Sequence, residues 1–99
     1  MKLKANFLTI LKGSNLIVIL IREDKKVLFN FGSEEWFDFY SLYNYDGFIK
    51  NNKFKEDFEE TKEVIEKAKD YNEITEKFIK DFKADRGNKI VLNRAELEV

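Results

Sequence analysis

Seven acidic residues, Glu56, Glu59, Glu60, Glu63, Glu66, Asp70 and Glu73, recur at spacings of three and four. On a helix that spacing gathers side chains along one face. From Glu56 to Glu66 there are six acids against a single base, Lys62. A ridge of fixed carboxylates repels a nucleic-acid backbone and attracts the lysines and arginines that line a nucleic-acid-binding channel. The same pattern also fits a solvated helix face tied by Glu63–Lys67, Glu73–Lys77 and Glu76–Lys80 pairs four residues apart. Each such pair is worth about 0.2–0.5 kcal/mol. A second group of chemical interest is the dense aromatic stretch Trp36, Phe37, Phe39, Tyr40, Tyr43 and Tyr45. It reads either as core and edge packing or as an exposed patch that anchors a partner, with Trp36, Tyr40 and Tyr43 as the anchors.

Catalytic chemistry finds little support in the residue types. The chain has no His and no Cys, which removes the commonest general base, the commonest zinc ligands and all thiol chemistry. Gly-rich phosphate loops and nucleophile elbows are absent. The carboxylate pairs Glu34–Glu35 and Glu59–Glu60 are adjacent in sequence, so on a helix they point to different sides. The expectation is therefore a non-enzymatic protein with no catalytic residues, no cofactor and no metal. Fifteen Lys against three Arg in a chain of net charge −1 argue against direct nucleic-acid reading, which favours Arg for bidentate contacts. The abundance of Lys, Asn and Ile suits an AT-rich genome, such as that of a low-GC bacterium or its phage. No segment has the layout of a secretory signal, and no apolar run is long enough to span a bilayer. A cytoplasmic protein is expected.

The elements that must position these residues follow from periodicity. Leu16 to Ile21 is an unbroken apolar run rich in β-branched residues, read as a strand buried on both faces. Charged residues from Arg22 to Lys26 separate it from Val27–Phe31, which completes a hairpin ending at Gly32. Residues 3–12 fit two patterns. Leu3, Phe7, Ile10 and Leu11 at helical spacing, with Gly13-Ser14 as a C-cap, predict a short helix. Leu3, Ala5, Phe7 and Leu11 also suit a strand that pairs with Leu16–Ile21 through a Gly-Ser-Asn turn. Ser33-Glu34-Glu35 resembles a helix start, and the aromatic stretch behind it fits a short helix or a strand, closed by a turn at Asp46-Gly47.

The strongest helical signal starts near Asn52, where Phe54, Phe58, Thr61, Ile65, Ala68 and Asn72 form one stripe. Ile74, Phe78, Ile79 and Phe82 form another. Asp70 with Glu73 predicts a capping box between two helices, and one long bent helix is the alternative. A turn at 85–88 with Gly87 in a left-handed position leads to a last strand at Ile90–Leu92.

In this last region the chain resembles a known family. Glu76-Lys77-Phe78-Ile79, Phe82-Lys83, Ile90, Leu92 and Glu96-Leu97 resemble the C-terminal half of small phage anti-CRISPR proteins of the Listeria prophage type. The segment Phe7–Lys12, the following turn and the strand at Leu16 parallel the front of that family. The resemblance implies a small antiparallel sheet packed against helices. It further implies an inhibitor of the type II Cas nuclease that occupies the site where the enzyme reads its DNA motif, with acidic residues standing in for phosphates. This chain departs from the pattern in being nearly neutral and in carrying the Trp36–Phe48 section and an extra helical stretch.

Taken together, residues 1–99 are expected to form a single α+β domain, a three-stranded, mainly antiparallel sheet with two or three helices on one face. The leading functional expectation is a phage-encoded inhibitor of a bacterial CRISPR-Cas effector in the infected host's cytoplasm. Its contacts would be Glu56, Glu59, Glu60, Glu63, Glu66, Trp36, Tyr40 and Tyr43, with no direct nucleic-acid or membrane partner. The alternative is a self-associating or adaptor module. A monomer and a homodimer both remain compatible with the sequence.

Overall fold

The chain folds as α+β, with, among the described residues, an antiparallel sheet of five strands in the order β4-β3-β2-β1-β5. The computed structural model describes residues 1–43 and 52–99, and their side chains except those of Tyr43 and residues 52–55. In chain order come β1 (Lys2–Lys12), β2 (Asn15–Arg22), β3 (Val27–Asn30), β4 (Phe37–Asp38), α1 (Phe39–Tyr43), α2 (Asn52–Lys67), α3 (Tyr71–Lys83) and β5 (Asn88–Glu98). The Asp46-Gly47 turn, Tyr45 and the side chain of Phe54 lie outside the described residues.

Two strands more than expected build this sheet, and residues 2–12 take the strand alternative, pairing with β2, in place of the helix. β1 pairs with β2 from Ala5–Arg22 to Lys12–Asn15, leaving Gly13-Ser14 as a two-residue loop. Gly13 has a φ of 60°, as the first central position of a type II′ hairpin turn demands. The Gly-Ser pair thus turns a hairpin and caps no helix. β5 pairs with β1 along its whole length, from Lys2–Glu98 to Lys12–Asn88, well beyond the expected Ile90–Leu92. The aromatic stretch divides: Phe37-Asp38 pairs with β3, and α1 starts immediately after it.

The registers sort the side chains into two faces. Asn6, Leu8 and Ile10 of β1, Ile17, Ile19 and Ile21 of β2, and Val27 and Phe29 of β3 share the inner face. There they meet Phe39 and Leu42 of α1, Ile65 of α2, Ala68, and Ile74 and Phe78 of α3. The outer face carries Leu3, Phe7, Leu11, Leu16, Val18, Leu28, Val91 and Leu97, and the described helices pack on the other side. β2 is therefore buried on one face and half open on the other, where Leu16 is exposed. The apolar run at 16–21 belongs to a central strand, paired with β1 on one side and β3 on the other.

Polar contacts fix the helices on the sheet. The buried Asn6 amide donates to Asn72 Oδ1 at 3.0 Å and to Thr75 Oγ1 at 2.9 Å, both from α3. Its Oδ1 has no hydrogen-bond partner among the described residues. Lys25, in the β2–β3 turn with a φ of 67°, donates from Nζ to Ala68 O at 2.6 Å just past α2. That cation satisfies one of the carbonyls a helix end leaves open. Asp70 caps α3, accepting from Asn72 N at 2.8 Å and Glu73 N at 3.2 Å. Glu73 reaches back to Lys69 N at 2.9 Å, so the predicted box forms one residue earlier on its return side, and two helices form instead of one. Lys12 Nζ ion-pairs with Asp85 and ties the β1–β2 hairpin to the end of α3. Gly87 adopts the expected positive φ, 93°, in the turn before β5.

Candidate protein-interaction site

α2 places the acidic ridge. Thr61, Ile65 and Ala68 are buried and Phe58 half-buried, and this stripe faces the core. Glu56, Glu59, Glu60, Glu63 and Glu66 occupy the other side and are all exposed. Over that span an α-helix rises about 15 Å at about 1.5 Å per residue. Glu59, Glu60, Lys62, Glu63 and Glu66 line a shallow depression on this surface.

Some of that charge is compensated within the chain. Glu63 Oε1 accepts from Lys67 Nζ at 2.6 Å, the predicted pair, and that bond raises the lysine's pKa above its ordinary value. The other predicted pairs do not form. Lys77 turns from Glu73 to Glu60 across the helix pair at 2.9 Å and to Asp81 along its own helix at 2.9 Å. The hydrogen bond and then the charge of Lys77 hold the Glu60 carboxyl below its usual range. Lys77 itself is pushed up, chiefly by its bond to Glu60. Glu76 and Lys80 form no ion pair among the described residues.

The aromatic residues divide between core and surface. Phe39 is buried and stacks on Phe58 at 5.3 Å, while Phe29 meets Phe78 edge-on at 5.8 Å. Trp36 and Tyr40 are exposed, as is Phe31, which stacks on Phe29 at 6.1 Å. The Tyr43 side chain lies outside the described residues. Tyr40 joins the two predicted surfaces. It shares a depression with Asp38, Ile65 and Glu66, and its hydroxyl pKa is raised by burial first and then by the charges of Glu66 and Asp38. The structure thus brings Tyr40 to the Glu66 end of the ridge.

Sequence reasoning missed a cleft between α2 and α3. Phe29, Phe39, Phe58, Phe78 and Phe82 line a cavity of about 510 Å³, whose rim carries Asp57, Glu60, Lys77, Asp81 and Asp85. The signal for it was present, since Phe58 and Phe78 belong to the two predicted apolar stripes, but which helices face each other is a tertiary fact. Among the described residues no group of His, Cys, Asp or Glu is placed to hold a metal ion, and no helix is long and apolar enough to cross a membrane. The chain matches no protein-family model, no curated protein and no solved structure.

Proposed function

We propose that this chain is a protein inhibitor that binds a bacterial CRISPR-Cas effector and blocks its nucleic-acid site, acting in the cytoplasm of a phage-infected cell. The observation that carries the reading is the exposure of Glu56, Glu59, Glu60, Glu63 and Glu66 on one side of α2. Presented together on one side of a rigid helix, these carboxylates suit a basic groove built for a nucleic-acid backbone. Tyr40 adds rigid, amphipathic contact area beside the charge, the kind of anchor enriched at interface centres, and Trp36 is a second exposed ring. The resemblance of Glu76-Lys77-Phe78-Ile79, Phe82-Lys83, Ile90, Leu92 and Glu96-Leu97 to small anti-CRISPR proteins points to the same class of target.

The test is binding to a guide-loaded type II effector, with and without its DNA target, for the natural chain and for the triple variant E59K/E63K/E66K. Juxtaposing like charges across an interface costs several kcal/mol, so the triple reversal weakens binding by on the order of 100-fold or more. Circular dichroism of the variant stays close to that of the natural chain, because all three positions are exposed. Undiminished binding by the triple variant refutes the mimicry. A second reading, a non-enzymatic adaptor or self-associating module, is favoured by the exposed rings of Phe31, Trp36 and Tyr40. Capture that DNA target does not compete away would move the contact from the ridge to that surface.

A further inference from the structure

The two edges of the sheet are unlike. One ends in β4, two residues long, too short to template another strand. Among the described residues the other ends in β5, eleven residues long. Its pairing with β1 runs without a bulge from Lys2–Glu98 to Lys12–Asn88, and the chain contains no Pro. Natural sheets blunt an edge with bulges, prolines, short length or charged side chains; of these β5 has only the charges, Lys89, Arg94, Glu96 and Glu98, and they are of both signs. Val91 and Leu92 on β5 are 52% and 37% exposed, and Val99 just beyond it 59%.

The ladder itself shows which groups face outward. Val99 N donates to Met1 O at 2.8 Å, so the odd-numbered residues at this end of the chain spend their backbone bonds on β1. In an antiparallel ladder the alternate residues point the other way. The N–H and C=O groups of Ile90, Leu92, Arg94, Glu96 and Glu98 therefore address the open edge. Arg94 and Glu96 stand there with opposite charges, and neither has an ion-pair partner among the described residues.

We propose that β5 is a homodimerisation edge, at which two copies of this chain pair β5 to β5, antiparallel, about a two-fold axis at Ala95. This register sets Arg94 opposite Glu96 of the second copy, and by symmetry Glu96 opposite its Arg94. Both are hydrogen-bonded pairs, as is Leu92 with Glu98. Val91 meets Val99 of the second copy, and Ala95 meets Ala95. Moving the axis to Arg94 would set that arginine against itself, so charge selects between neighbouring registers. Such an interface is isologous and closed, as two-fold pairing requires, and it joins the two sheets into one. The pairing is independent of the inhibitor reading, because Lys25–Ala68 and Phe39–Phe58 place α2 over the β3–α1 end of the sheet.

The chain has no cysteine, so A95C creates a single thiol per copy. Opposed residues of a non-hydrogen-bonded pair lie about 4.5 Å apart at Cα, within the ~4.4–6.8 Å range of a disulfide. Under mild oxidation A95C runs as a covalent dimer on a non-reducing gel. N93C does not, because in this register its two copies lie about 13 Å apart at roughly 3.3 Å per residue. In sedimentation equilibrium the natural chain shows a concentration-dependent mass rising to twice that of one copy. R94E and E96R each weaken association at least about tenfold through like-charge contact, and the double variant R94E/E96R restores it. A single-copy mass up to millimolar concentration overturns the proposal. So does cross-linking of N93C as efficient as that of A95C, or a charge-swapped double variant that stays monomeric.

Discussion

Ile10 and Leu11 are neighbours whose side chains leave the sheet in opposite directions, 1% and 41% exposed respectively. Truncating each to Ala removes the same number of carbons, and the extra strand preference that β-branched Ile loses lies within the ~1 kcal/mol span of that scale. For Ile10→Ala the transfer term is about 2.4 kcal/mol at ~0.8 kcal/mol per buried CH₂. The cavity left in a close-packed interior brings the expected loss to about 2–5 kcal/mol. Leu11 is little more than half screened, and solvent fills the space it vacates, so Leu11→Ala loses at most about 1.4 kcal/mol. The difference is read from urea denaturation midpoints at constant m-value, and each kcal/mol corresponds to about 4–8 °C in Tm for a domain of this size. Equal losses for the two variants would refute the reasoning. They would mean that the outer face is covered, or that residues 3–12 form the helix on which Ile10 and Leu11 would share a stripe.

Two further predictions follow from the helices. Asp70→Ala removes both hydrogen bonds that open α3 and costs about 1 kcal/mol, while Asp70→Asn, an equally good cap, costs little; thermal melts that rank the two alike would contradict the cap. NMR titration places the Glu60 carboxyl below its ordinary midpoint, and Lys77→Met returns it to the ordinary range. Because the folded pKa of Glu60 is depressed, its contribution is present above the unfolded carboxylate value and fades as pH falls through the folded midpoint. Lys77 is raised, so its share is present below the ordinary lysine value and is lost as pH rises through the elevated one. A Glu60 midpoint insensitive to Lys77→Met would show that the cross-helix bond does not persist in solution.

The helical half was legible because α2 and α3 each bury one stripe, and a period of three and four survives in sequence wherever one side is wet. The hairpin of β2 and β3 was legible for a different reason, from two short β-branched and aromatic apolar runs with charged residues marking the turn between them. β1 was not, because Phe7 and Leu11 on the outer face are as apolar as Leu8 and Ile10 on the inner one, which erases the alternation that identifies a strand. β5 was cut short because Asn93 to Glu98 is held by hydrogen bonds to β1 and by little burial, and composition reports burial alone. The exposure of the acidic ridge was readable from spacing, and so was Glu63–Lys67. The bond from Lys77 to Glu60 joins residues on different helices and depends on how α2 crosses α3.

The buried Asn6 has a consequence for fidelity of assembly. A strand that is apolar on both sides tolerates slippage, because sliding β1 by one residue would turn Leu3, Ala5, Phe7 and Leu11 inward in place of Leu8 and Ile10. Hydrophobicity distinguishes the two arrangements poorly. The slipped strand would forfeit both bonds from Asn6 to α3, worth roughly 0.5–1.5 kcal/mol each. Since about 1.4 kcal/mol is a factor of ten, a single amide biases the chain toward the correct alignment by something like five- to more than a hundredfold. Asn6 acts as an address label on β1: what it contributes is discrimination against a near-degenerate misfold.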